Sequence, residues 1–267
     1  MSRFCILMYH IIDAPRSAHE RRWACPPSRF ARHMRALRRS GYQPVCLSTV
    51  QNFLAGEGTL PDRAVAVTLD DGYADNYRFA FSILQEHDIP ATIFLVANTI
   101  DGCNDWIQDP TAPRRAMLTW EQIREMQSHG TRFGSHTLTH PRLTALSLED
   151  ARQEIQGAKQ MLEDRLGTPI PWFAYPYGNC SDTIAQLARE SGYTLACSTR
   201  AGFNRPDIDP FMLRRIDVAG TDSVWKLMQK LEFGTNDAGL IQPLIYYTKR
   251  LGFAKIIHQA NGKPKKN

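Results

Sequence analysis

Short apolar runs alternate with stretches of helical periodicity along most of this chain. FCILMY (residues 4–9), AVAVTL (64–69), ATIFLV (91–96), WFAY (172–175) and TLACS (194–198) read as strands. Between them, Ser28 to Arg39 reads as a helix stopping at Gly41, and residues 76–87 as another. Thr119 with Gln122 forms a capping box for a helix ending before Gly130. Ser147 caps a longer one, with Leu148, Ala151, Ile155, Leu162 and Leu166 on one stripe, that ends at Gly167 and Pro169. A further helix is expected from about Asp182 to Ser191. Strand–helix alternation of this kind argues for an α/β architecture around a parallel sheet, open or closed as a barrel. In both, ligands collect at the carboxyl ends of the strands.

With 267 residues, 43% of them hydrophobic, the chain can bury a sizeable core, and its length suits one large α/β domain as well as two small ones. No segment reaches the roughly 18–20 apolar residues that span a bilayer. The opening MSRFCILMYH has too short an apolar run for a signal peptide, so a cytoplasmic protein is expected. Cys5, Cys25, Cys46, Cys103, Cys180 and Cys197 are scattered without a CxxC pair and read as free thiols. The net charge of +5 is unevenly placed. Arg32, Arg35 and Arg39 share one helical face, and six lysines and arginines follow residue 248 with no acid among them.

Three stretches carry chemistry. VTLDDG drives an apolar run into two adjacent aspartates, Asp70 and Asp71, and then Gly72. Neighbouring carboxylates repel unless a cation or a shared proton offsets them. GSHTLTHP places His136 and His140 four residues apart, in a turn because Pro141 disfavours helix at His140, and the strand-like TRFGS (131–135) before it puts the pair at a strand's carboxyl end. Two histidines and one carboxylate make a workable divalent-metal site with an open position. In WFAYPYGN, Pro176 and Gly178 shape a rigid turn able to present a backbone N–H to an oxyanion.

TLDDG, HTLTH and YPYG, in this order, resemble the motifs of the polysaccharide deacetylase family, carbohydrate esterase family four. The resemblance runs over roughly residues 4–218 and implies a distorted (β/α) barrel of about seven parallel strands. It implies Asp71, His136 and His140 as metal ligands, with Zn2+ foremost and Co2+, Ni2+ or Mn2+ as alternatives. Asp70 becomes the general base for the attacking water, and the Tyr177 backbone N–H an oxyanion donor. Two departures stand out: the family's arginine before PYG is Ala174, and beyond residue 140 the one histidine is His258. LMYHII resembles the opening of a subgroup that includes poly-N-acetylglucosamine deacetylases, which makes His10 the acid for the leaving amine. Within FMLRRIDV, Arg215 matches the subgroup's late arginine better than Arg214.

The expected reaction is removal of the N-acetyl group from an N-acetylhexosamine in a cytoplasmic glycoconjugate intermediate, such as a lipid-linked sugar or lipopolysaccharide core. Residues 1–240 are expected to form the catalytic domain and 241–267 a basic tail suited to an anionic membrane surface. A nucleic-acid partner is not expected. The competing readings are a metal-dependent amidohydrolase of a small cyclic amide or ureide, and a carbohydrate-binding relative that has lost catalysis.

Overall fold

The computed structural model describes residues 3–109 and 111–239, so the basic tail and His258 lie outside the described residues. Its strands are β1 (Cys5–Tyr9), the short β2 (Gln43–Pro44), β3 (Ala64–Leu69), β4 (Ala91–Leu95), β5 (Arg132–Ser135), β6 (Trp172–Ala174), β7 (Leu195–Cys197) and β8 (Ile216–Asp217). Side by side they run β7-β6-β5-β4-β3-β1-β8, with β2 attached to β3. Every pairing is parallel. Cys197 of β7 also bridges Leu213, just ahead of β8, so the curled sheet joins its two edges. This is the distorted (β/α) barrel expected, seven parallel strands around, with β2 as an extra.

The period of two along each strand divides the apolar residues into two cores. Phe4, Ile6, Ala66, Phe94, Trp172 and Ala174 pack together on the inner side, where Leu47 and Val50 of α2 (Leu47–Leu54) join them. The alternate residues Leu7, Val67, Ile93 and Phe173 pack with the helices instead. The interior has little room. A Cβ on Gly134 of β5 would lie 2.6 Å from the Phe94 ring and 2.9 Å from the Trp172 carbonyl.

The outer helices are α1 (Pro27–Arg39), α3 (Ser82–Glu86), α4 (Trp120–Ser128), α5 (Leu148–Leu166), α6 (Asp182–Glu190) and α7 (Val224–Phe233). Their ends form as the capping signals predict. Thr119 and Gln122 make both halves of the capping box, Ser147 Oγ accepts from the Asp150 N–H, and Gly167 ends α5 in a left-handed conformation. The stretch expected as a helix over 76–87 opens as a π-helical turn, Asn76–Phe81, before becoming α3. Asn76 there donates to the His10 carbonyl at 3.0 Å. Arg32, Arg35 and Arg39 are exposed on α1. The six cysteines are free thiols. No helix among the described residues is long and apolar enough to cross a membrane.

Candidate active site

The Asp-Asp-Gly stretch leaves the end of β3 with its first aspartate still on the ladder: the Asp70 N–H donates to the Tyr9 carbonyl at 2.9 Å. Asp71 and Gly72 then both take positive φ, 75° and 84°. A side chain on Gly72 would meet Leu95 Cδ2 at 2.8 Å as well as strain the backbone, so the turn needs glycine there. The turn gives the two carboxylates different partners. Asp70 meets Arg215, and Asp71 meets the histidines.

His136 follows β5, with its N–H on the Leu95 carbonyl at 2.8 Å. His140 returns to it through a tight loop, not a helical turn, because Thr137 and His140 hold φ of 71° and 63°. Glu154 of α5 secures that loop, accepting from the Leu138 and Thr139 N–H groups at 2.9 Å each. Of seven described non-glycine residues with positive φ, Asp71, Thr137, His140 and Tyr177 all sit here. Such backbone costs about 1–3 kcal/mol per residue and persists where the surroundings over-determine it.

Asp71 Oδ1 lies 3.5 Å from His136 Nε2 and 3.4 Å from His140 Nε2. All three residues are buried, and one donor atom of each falls within 4.8 Å of the others. His136 Nδ1–H donates to the Ala174 carbonyl at 2.7 Å, which leaves the Nε2 lone pair facing the cluster. Burial lowers the His136 pKa to about 4, so the ring is neutral at pH 7. Burial opposes ionisation of Asp71, yet its close approach to His140 and the other neighbouring imidazoles hold it below the ordinary carboxylate range. Asp71 Oδ1 has no hydrogen-bond partner although it is buried. Two imidazoles, one of them neutral, converging this closely on an ionised carboxylate with an orphaned oxygen fit a divalent cation.

Arg215 grips Asp70 with both guanidinium arms, Nη1 to Oδ1 at 2.6 Å and Nη2 to Oδ2 at 2.7 Å. Both residues are buried, and Arg215 also donates from Nε to the Ser198 carbonyl at 3.0 Å. Arg214 points out to solvent and is not part of the site. Ala174 faces the inner core from β6, so the positive charge beside Asp70 comes from the approach to β8 instead. Burial opposes ionisation of Asp70 too, but the Arg215 charge outweighs it and keeps the carboxyl below its usual range.

His10, directly after β1, faces these groups across a cavity of about 660 Å³ that also reaches Asp70, Asp71, His136, His140 and Tyr177. Its ring packs 4.7 Å from that of Trp23. Tyr177 has φ 58° in its 3-10 turn, and its ring stands against His140 at 4.5 Å under Arg142 at 4.4 Å. Next to it, a Cβ on Gly178 would collide with Thr199. The Tyr177 N–H makes no hydrogen bond outside its own turn among the described residues. Trp23, Tyr73, Trp106 and Asp217 also line the cavity. Sequence reasoning missed them; for the three aromatics, the aromatic content of the loops after β1, β3 and β4 was the available signal.

Residues 57–196 match the polysaccharide deacetylase family, and the chain belongs to it. YxkH of Bacillus subtilis strain 168 is 28% identical over 214 residues, 80% of this chain and 71% of that protein. The poly-beta-1,6-N-acetyl-D-glucosamine N-deacetylase of Escherichia coli K12 is 24% identical over 260 residues, 85% of this chain but 38% of that longer protein. Among solved structures, the Streptococcus pyogenes deacetylase PplD in complex with acetate superposes with a TM-score of 0.74 at 27% identity, covering 86% of this chain and 98% of that one.

Proposed function

We propose that this protein is a metal-dependent N-deacetylase acting on an N-acetylhexosamine unit of a glycoconjugate. The observation that carries the reading is the division of labour between adjacent aspartates: Asp70 locked onto Arg215, and Asp71 aimed at His136 and His140. Asp71, His136 and His140 would hold the cation, with Zn2+ the first candidate. When bound, it supplies Lewis acidity and brings the pKa of the attacking water to about 7.

Asp70, kept ionised and fixed in orientation by Arg215, accepts the proton of that water as it adds to the acetyl carbonyl. The Tyr177 N–H donates to the oxygen that gains charge. His10 gives a proton to the sugar nitrogen as the C–N bond breaks, releasing acetate and the amine.

The substrate class is supported by the E. coli relative, whose name specifies an N-acetylglucosamine polymer. For this chain we propose a lipid-linked sugar or lipopolysaccharide-core intermediate, handled on the cytoplasmic side with the basic tail at an anionic surface. Acetate release tests it, comparing Zn2+-loaded wild type with Asp70→Asn. The panel holds a nucleotide N-acetylhexosamine, a lipid-linked one, a lipopolysaccharide-core acceptor and a β-1,6-N-acetylglucosamine oligomer. Release by wild type alone is expected, strongest on the lipid-linked or core acceptor. Preference for the free oligomer would overturn the carrier assignment, and silence on all four would overturn the deacetylase reading.

A further inference from the structure

Outside the metal-ligand cluster, the cavity holds a second connected set of side chains, all on the His10 side. Asp217 ends β8 and is 5% exposed. Its register partner on β1 is Met8, two residues before His10, so all three side chains face the same way. Asp217 Oδ2 accepts from Arg22 Nη2 at 2.9 Å, while Oδ1 is buried without a partner. The Arg22 guanidinium lies 4.8 Å from the centroid of the Trp23 ring. The Trp23 ring in turn packs against His10. Arg22 ends a 3-10 turn, His19–Arg22, and Trp23 follows it; the turn is secured by the Glu20–Arg115 ion pair.

We propose that Trp23 is a positioning residue for His10, and that Arg22, anchored on Asp217, holds the indole in place. This rests on the reading of His10 as the proton donor. The imidazole follows the last residue of a strand and has no side-chain hydrogen bond among the described residues, so its rotamer is not set by a polar partner. The indole is the ring packed against it. A proton donor is effective only when its N–H is aimed at the departing nitrogen, and a displacement of about 1 Å can cost on the order of 100-fold. Arg22 is 62% exposed in its side chain, so a surface residue, anchored on one buried carboxylate, reaches the acid through one aromatic ring.

The test compares two reactions of the Zn2+-loaded enzyme. Hydrolysis of an N-acetylhexosamine substrate needs a proton on the leaving amine. Hydrolysis of 4-nitrophenyl acetate does not, because the phenolate departs unprotonated. Trp23→Ala is expected to lower kcat on the amide by roughly 10- to 100-fold with KM within about twofold, and the ester rate at least about tenfold less than that. Trp23→Phe should restore most of the amide rate. Arg22→Gln, at the exposed end of the chain of contacts, should show the same amide-selective loss at roughly three- to tenfold. Should Trp23→Ala fail to fold, Arg22→Gln and Trp23→Phe decide the matter.

Equal losses on amide and ester, or a raised KM with kcat unchanged, would overturn the proposal, since Trp23 would then be a general support or a substrate wall. His10→Ala, run in parallel, separates the two levels. If it keeps the wild-type amide rate, the reading of His10 as the acid fails. If it shows an amide-selective loss that neither Trp23→Ala nor Arg22→Gln shares, the positioning role alone fails.

Discussion

Two aspartates one residue apart in sequence have opposite requirements. In the proposed reaction Asp71 offers a bare oxygen toward the histidines, and Asp70 keeps its charge beside it. The two-armed Arg215 contact meets the second need at a buried position. Asp70→Asn should therefore retain the cation, read by metal analysis of the purified protein, while kcat falls by about 10²- to 10⁴-fold. An Asn variant with a wild-type rate would remove Asp70 from the role of base. His136→Ala should lose both cation and turnover, because it deletes the imidazole whose other nitrogen is already engaged by the Ala174 carbonyl. Cation retained at full stoichiometry in that variant would place the metal elsewhere.

At the scale of elements, the walls of the cavity are loops, and one arginine joins them. Arg115, ahead of α4, is buried and binds Glu20 from Nε at 2.6 Å and from Nη2 at 2.9 Å, and Asp13 from Nη1 at 2.9 Å. It thereby ties the loop after β1, with Trp23, to the loop after β4, with Trp106. Removing one partner of a buried charge network leaves the others unpaired and costs about 3–5 kcal/mol. Arg115→Met should lower the urea midpoint by a corresponding amount, and a change below about 1 kcal/mol would mean the network is replaceable by water. Strands and capped helices were legible because their signals are local: apolar runs of strand length, Thr119 with Gln122, Ser147 with Gly167. β8 was not, because two residues show no periodicity. The Ser223-capped α7 carries the ordinary signals of a helix in its cap and its buried Leu227 and Leu231, and went unread.

Across the whole molecule, burial of imidazoles writes a pH dependence into stability. His33 of α1 is fully buried, its Nε2–H donating to the Asp222 carbonyl while the Tyr9 hydroxyl donates to Nδ1. Burial lowers its pKa to about 4, as it does for His136. An unfolded histidine titrates near about 6.5, so between that pH and 4 the unfolded chain binds protons that the folded one does not. Stability contributed by each neutral ring is complete above about pH 6.5 and is lost as pH falls, at up to about 1.4 kcal/mol per pH unit. Denaturant titrations at pH 6.5, 5.5 and 4.5 should show that decline, less the opposite slope of buried Asp75, whose pKa is raised to about 6, and His33→Gln should reduce it by the share of one ring. A pH slope that His33→Gln leaves unchanged would contradict the burial shift of His33.

The sequence by itself determined the α/β alternation, the placement of Asp70, Asp71, His136 and His140 at strand ends, and the nomination of His10 and Arg215. The alternation and the four strand-end residues follow from local cues, a run, a turn residue, a spacing of four, whereas His10 and Arg215 come from the family resemblance. Only the tertiary structure decided that Arg215 and not Arg214 meets Asp70, across 145 residues of chain. It likewise decided that Ala174 leaves that charge to another strand, and that Trp23, Arg22 and Asp217 gather around His10. The physical reason is the period of two. A one-residue change of register reverses which side chains face the interior, and register between parallel strands is set by packing of the whole sheet.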